Sequence, residues 1–274
     1  MNSMKIHFLP QLRIVTIYII AGSLWIYFSD MLIGALFGDA ESITVAQHFK
    51  GWFFIAVTGF LLFVLIKRDF DSLSHANNDV VQSYEQTMQG WVRVTDLRHK
   101  ETKDHTERVT KMTIRFARLA GITDVNELKR IERGAILHDV GKIGIPDAIL
   151  IKPDNLDEEE WSQMKLHPTI GYNLLSKIKF LQPSLDIPYC HHEKWNGGGY
   201  PRGLQHETIP LAARIFAIVD VWDALCHPRV YKSAWTEDRV LDYIREQAGQ
   251  HFDPALVKLF IDSYDEIKGK EQIS

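Results

Sequence analysis

Apolar residues follow two regimes along this chain. Between residues 14 and 37 they form the run IVTIYIIAGSLWIYFSDMLIGALF, broken by one charge, Asp30, and from Gly51 to Ile66 they form GWFFIAVTGFLLFVLI, which has none. An apolar run of about 20 residues reaches across a hydrocarbon core of about 30 Å, so the pattern predicts transmembrane helices near 14–37 and 49–66. Lys50 before the second run and Lys67-Arg68 after it extend the crossing by carrying their charged heads outward to the polar boundary. Trp25, Tyr27, Trp52 and Phe53 fall where an interfacial aromatic belt is expected. A cleaved signal peptide accounts for the first run but leaves the second unexplained. Lys5 and Arg13 precede the first run and Lys67-Arg68 follow the second, while the loop near 38–49 carries Asp39 and Glu41. Positive flanks remain on the cytoplasmic side, which predicts a two-pass anchor in lipid with both ends in the cytoplasm and a short outer loop.

Residues 69–90 are polar, lack proline, and place Leu73, Val80, Tyr84 and Trp91 near helical seam positions, with Asn77 and Thr87 interrupting the seam. They predict a helical linker with a seam that allows parallel pairing in a homodimer; a solvated monomeric helix is the plainer reading. After Trp91 the apolar residues recur at helical spacing between short loops, with no period-two alternation. An all-α fold class follows: a membrane anchor over 1–68, a linker over 69–90 and a helical domain over 91–274.

The formal charge of −4 argues against coating a nucleic-acid polymer, which requires a basic surface. The two cysteines, Cys190 and Cys226, lie far apart and outside any CxxC spacing, consistent with a reduced compartment for the helical domain.

The chemistry-bearing residues arrive in clusters. Leu128, Ile131, Ala135 and Ile136 repeat at helical spacing and lead into His138-Asp139, so this pair is expected at the inward end of a buried helix, with Gly141 and Gly144 bringing Lys142 back over it. Glu101 and His105 are spaced i, i+4, and Arg108 is one turn further on. His167 precedes Pro168, which starts a helix and leaves the imidazole at its N-terminal end. His191 and His192 are adjacent; on a helix they differ by about 100° in direction and so are suited to straddling neighbouring ions. Asp220 lies within RIFAIVDVWD, where an unpaired carboxylate is costly to bury. Each residue alone reads as an ordinary helix-end group. Together the histidines and carboxylates form an oxygen and nitrogen donor set without thiolate. It suits two or three divalent ions, with iron or manganese favoured and zinc also compatible, and adjacent ions of this kind serve phosphoryl hydrolysis.

From about residue 91 to 265 the chain resembles the HD-GYP branch of the HD phosphohydrolase superfamily. HDVGKIGIP gives the HD part and HHEKWNGGGYP the GYP part, with DHTERV, LHPTIGYNLL, IFAIVDVWDAL and HFDP in family order. The resemblance implies an all-α bacterial signalling enzyme that hydrolyses cyclic di-GMP to the linear dinucleotide pGpG, and often on to GMP; the two apolar runs, which lie outside the resemblance, add the expected inner-membrane location. It implies His105, His138, Asp139, His167, His191, His192 and Asp220 as metal ligands, with Glu101 holding a third ion in members that have one. Lys142 and Asp139 would act at the scissile phosphate, Tyr200 and Gly199 would meet the substrate, and Arg229 and Lys232 would bind its phosphates. Asp104 stands where many members have glycine, and Cys226, His227, Pro228 and Val230 depart from the commoner residues, which bears on substrate preference. A module that binds the dinucleotide or a protein without turnover, and an HD-type hydrolase of another nucleotide phosphoester, remain as alternatives.

Overall fold

The computed structural model describes residues 9–99, 105–228 and 234–269. Two compact units divide between Ser83 and Tyr84.

The first unit contains α1 (Leu9–Leu36) and the leading part of α2 (Ala40–His99). Asp39 caps α2 by accepting from the Ser42 amide at 2.7 Å. Trp25 stacks on Phe53 and Phe54, with ring centroids 5.5 and 6.0 Å apart. Both helices are long and apolar enough to cross a bilayer by length and composition, and Ile19, Tyr27, Met31, Trp52, Phe60 and Phe63 lie exposed on them. Lys50, expected to reach outward, instead pairs with Asp30. Two opposite charges on neighbouring apolar helices gain more from each other than from separate exposure to an apolar surround. The second apolar run and the linker also form one element rather than two. α2 is 60 residues long, and with no proline between Ala40 and His99 nothing ends the helix at the change from apolar to polar composition.

The second unit is all-α among the described residues, with one isolated bridge between Ala248 and Phe252. After the end of α2 come α3 (His105–Leu119), α4 (Val125–Ile136), a 3-10 turn (Val140–Gly144), α5 (Asp147–Leu150), α6 (Glu158–Met164), α7 (His167–Leu175) and α8 (Asp186–Cys190). They are followed by α9 (Leu211–Cys226), α10 (Glu237–Glu246), α11 (Pro254–Asp262) and α12 (Tyr264–Lys268). The run Ile215 to Val219 is apolar on every side, and a helix of that kind must be surrounded. Accordingly α9 is central, and Phe216, Ile218 and Val219 are packed in one core with Val109 and Phe116 of α3, Ile131 of α4, Ile244 of α10 and Phe260 of α11. A smaller cluster joins Met88 near the end of α2 to Leu137, Val140, Leu175 and Leu181. Tyr84 stacks on Phe180 at 5.2 Å, and Glu85 pairs with Arg133 at 3.2 Å, so the last residues of the expected linker belong to this unit. Burying each large apolar side chain contributes about 1.5–3 kcal/mol, so this cluster fixes the region around residues 137–140.

Candidate metal centre

Ligand-type side chains from five places in the chain converge at the end of the core. His105 is the first residue of α3, and the stripe Val109, Met112 and Phe116 that buries this helix carries the imidazole inward with it. α4 is capped at its start by Asp124, whose Oδ1 accepts from the Glu127 amide at 2.7 Å, and at its end by Leu137, so His138 and Asp139 turn out of the helix into the site. His167 and Pro168 open α7, His191 and His192 follow α8, and Asp220 projects from α9. The sequence expectations for the surroundings of His138 and His167 match this arrangement.

The donors form two groups. His105, His138 and Asp220 have ligand atoms within 4.8 Å of one another, as do His167, His191 and His192. Asp139 stands between them. Its Oδ2 lies 3.1 Å from His138 Nε2, while its Oδ1 lies 3.2 Å from His167 Nε2 and 3.8 Å from His191 Nε2. His105 Nε2 is 3.4 Å from Asp220 Oδ1. His105, His138, His167 and His191 are buried, whereas His192, Asp139 and Asp220 are half-buried.

The opposite ring nitrogens fix the chemistry. The Nδ1–H groups of His138, His167 and His191 donate to the carbonyls of Ala135, Met164 and Ile187 at 2.8, 2.9 and 3.0 Å, and that of His105 donates to Asp223 Oδ2 at 2.7 Å. A neutral imidazole that donates from Nδ1 presents a lone pair at Nε2, the form that binds a metal. His167 Nε2 and His191 Nε2 approach to 3.3 Å, so two lone pairs face each other at a point that suits a cation. Burial, then the neighbouring His167, pushes His191 down to about 3, and burial followed by His191 and His167 holds His192 well below its ordinary value. Burial opposes the charge on Asp139, but Lys142, His138 and His167 outweigh it and keep the carboxyl well below the usual range. Asp220 is likewise held low, with His105 and His138 outweighing burial. Burial opposes a charge on His138, but Asp139 and then Asp220 outweigh it and raise its pKa, so a cation would compete with a proton there. Nitrogen donors in two groups around two ionised carboxylates would hold two neighbouring divalent cations.

The family profile of the HD domain matches residues 91–256. The chain belongs to the HD-domain family. Among relatives of this HD domain is the 3'3'-cGAMP-specific phosphodiesterase 2 of Vibrio cholerae, 40% identical over 190 residues that cover 69% of this chain and 36% of that protein. Another is the cyclic di-GMP phosphodiesterase response regulator RpfG of Xanthomonas campestris, 43% identical over 182 residues that cover 66% of this chain and 48% of that protein. The chain therefore spans about half or less of the length of these relatives. A solved HDG"Y"P protein, Bd1817 from Bdellovibrio bacteriovorus, shares the fold at a TM-score of 0.50 and 23% identity, over 61% of this chain and 53% of that one.

Around the ligands of this HD domain, Lys142 Nζ lies 2.5 Å from Asp139 Oδ2, as the two glycines flanking it led the sequence to suggest. Gly141 is required by close approach, because a Cβ there would stand 1.9 Å from the His167 carbonyl oxygen. The Tyr200 ring lies 4.7 Å from the His192 ring with Lys165 Nζ over its face, and burial followed by the Asp139 charge pushes the hydroxyl above its usual range, so it remains a donor at neutral pH. Gly199 has a packing reason: its missing Cβ would lie 2.3 Å from the Lys194 amide nitrogen. Glu101, Arg229 and Lys232 lie outside the described residues.

Two further residues matter that sequence reading passed over. Asp223 accepts from His105 and from Arg108 Nε at 2.8 Å, and although burial raises its carboxyl, those partners bring it down to about 2. The available signal was its spacing of three residues from Asp220 in the same apolar helix. Glu193 is buried and accepts from the amides of Arg202 and Leu204 at 2.7 and 3.0 Å, closing the loop that presents Tyr200. Its only sequence signal was a carboxylate directly after paired histidines.

Proposed function

We propose that this chain is a metal-dependent phosphodiesterase that hydrolyses cyclic di-GMP to linear pGpG. The carrying observation is the Asp139 carboxylate, one oxygen turned to the His105, His138 and Asp220 group and the other to the His167, His191 and His192 group. Bound there, two divalent ions would supply Lewis-acid charge and lower the pKa of nearby water. His105, His138, His167 and His191 direct Nδ1–H to carbonyl and carboxylate acceptors, which leaves Nε2 as the nitrogen that would hold an ion. Lys142, beside Asp139, offsets charge on the phosphoryl oxygens. Tyr200 offers a hydroxyl donor and an aromatic face beside His192. By resemblance, Arg229 and Lys232 bind the phosphates and Glu101 contributes a third ion site.

The reading includes a two-pass anchor in the inner membrane formed by α1 and the apolar part of α2, with the HD domain in the cytoplasm. Leu73 and Val80, 70% and 53% exposed along α2, support parallel pairing of two copies there. A second substrate reading rests on the relatives, whose names divide between cyclic di-GMP and 3'3'-cGAMP. The test uses the full chain in detergent, loaded in turn with Fe, Mn and Zn, and incubated with both cyclic dinucleotides and with linear nucleotides. Ring opening of cyclic di-GMP that stops on chelation and returns with metal is expected. Faster turnover of 3'3'-cGAMP moves the substrate assignment, and binding without hydrolysis by fully loaded protein replaces the enzyme with a binding module.

A further inference from the structure

Arg98, in the last turn of α2, is not one of the ligands, yet it grips the turn that carries Lys142. One guanidinium nitrogen donates to the Ile143 carbonyl at 2.7 Å and the Lys142 carbonyl at 3.4 Å, another donates to the Ile145 carbonyl at 2.7 Å, and Nε donates to Asp147 Oδ1 at 2.7 Å. These acceptors lie in and just after the 3-10 turn Val140–Gly144, which follows Asp139 directly. A planar fork of five N–H donors can serve several carbonyls at once; an ammonium cannot serve them in the same geometry. The Asp147 side chain is 65% exposed, so its ion pair contributes little, and the bonds to the carbonyls are the consequential contacts. Inside the turn, the Lys142 amide donates to the Asp139 carbonyl at 2.9 Å while Lys142 Nζ reaches Asp139 Oδ2. Where Arg98 holds residues 142–145 therefore determines where the ammonium stands relative to the bridging carboxylate.

We infer that Arg98 is a positioning residue that acts through Lys142, holding its ammonium at the shared carboxylate. The inference rests on the phosphodiesterase reading for its kinetic consequence but not for its structural one. Clamping by a charged donor strengthens each bond beyond a neutral one, so losing the fork should release the turn by about tenfold or more.

The experiment takes the full chain as wild type, Arg98→Gln, Arg98→Lys, Lys142→Ala and the Arg98→Gln/Lys142→Ala pair. Without substrate, amide hydrogen exchange over residues 140–147 should quicken about tenfold in Arg98→Gln. Arg98→Lys, which keeps the charge and is the safer variant for folding, should quicken in the same direction. With cyclic di-GMP, and with bis(p-nitrophenyl) phosphate as a substrate that needs no dinucleotide recognition, Arg98→Gln should lower kcat about tenfold with KM and metal content near wild type. Added to Lys142→Ala, the same change should lower kcat by less than about twofold, because the group it places is gone. A brace that only supports folding predicts the full loss in both backgrounds, and that result, or wild-type exchange over 140–147 in Arg98→Lys, overturns the inference. Should wild type turn over neither substrate, the proposed function fails while the exchange measurement still decides the clamp.

Discussion

Replacing Asp223 with asparagine keeps the volume and removes one acceptor oxygen and the charge. In the wild type its Oδ2 receives the His105 Nδ1–H at 2.7 Å and an Arg108 terminal N–H at 3.0 Å, while Oδ1 receives Arg108 Nε at 2.8 Å. Asparagine offers one oxygen and one NH2 to this set of donors. If the oxygen faces Arg108, the NH2 points at His105 and drives it to the tautomer that protonates Nε2, which is then no longer a ligand. If the oxygen faces His105, the NH2 meets the guanidinium. The carboxyl lies at about 2 against an ordinary 3.8. A depressed folded-state pKa contributes stability that is present above the unfolded pKa and is lost as the pH falls through the folded one, here between about pH 4 and pH 2. That difference corresponds to about 2 kcal/mol at neutral pH, so Asp223→Asn should lose about that much there and little at pH 2. Disturbing a partner of a metal-binding histidine typically weakens affinity about 10–100-fold. The loss should fall on the ion held by His105, His138 and Asp220, while the ion at His167, His191 and His192 changes little. Chelator competition with elemental analysis resolves the two affinities, and thermal unfolding of metal-free protein across pH gives the stability. Equal weakening of both ions, or unchanged affinity in a folded variant, would refute the claim that Asp223 acts by setting the His105 tautomer.

Gly141→Ala should destabilise the protein by about 1–3 kcal/mol and weaken the ion at His167, because the new methyl would push back the His167 carbonyl at the start of α7. Urea unfolding and metal titration check it, and wild-type values in both would show that the approach is looser than described. Reporter fusions after Ala40 and after Gly90 should give opposite signals if the apolar stretches form a two-pass anchor; matching signals would dismiss the hairpin in the membrane.

What the sequence made legible follows from which interactions carry a residue signature. α9 was readable because five consecutive apolar residues, Ile215 to Val219, can only be buried, and an Asp at the end of such a run has to meet a cation or a donor. Proline and glycine marked the start of α7 and the turn after His138 for the same reason: their backbone constraints are local. The continuity of α2 was harder to see, since a change from apolar to polar composition signals a change of surroundings without signalling a break in hydrogen bonding. The pairing of Asp30 with Lys50 joins residues 20 positions apart in the chain, and no local rule reports it.

The site divides along the same line. Its candidate ligands are side chains, and their types announce them, but what orients three of the histidines is a set of backbone carbonyls from Ala135, Met164 and Ile187, groups that every residue possesses. The sequence therefore names the donors and cannot name their tautomers; those depend on where each helix stops. His138 takes its acceptor from three residues earlier, at the end of α4; His167 takes it from three residues earlier, at the end of α6; His191 takes it from four residues earlier, within α8. The Ala135 and Ile187 carbonyls also accept the backbone amides of His138 and His191, at 3.5 and 3.0 Å, so the two lone pairs of one oxygen serve both the last turn of the helix and the imidazole that follows it. His105 opens α3 as His167 opens α7, but its Nδ1–H is directed to a side chain, Asp223 on α9, rather than to a carbonyl. That one side-chain acceptor is why a buried carboxylate beyond the candidate ligands belongs to this centre, and α9, which packs against α3 and also carries Asp220, is the helix that brings it there.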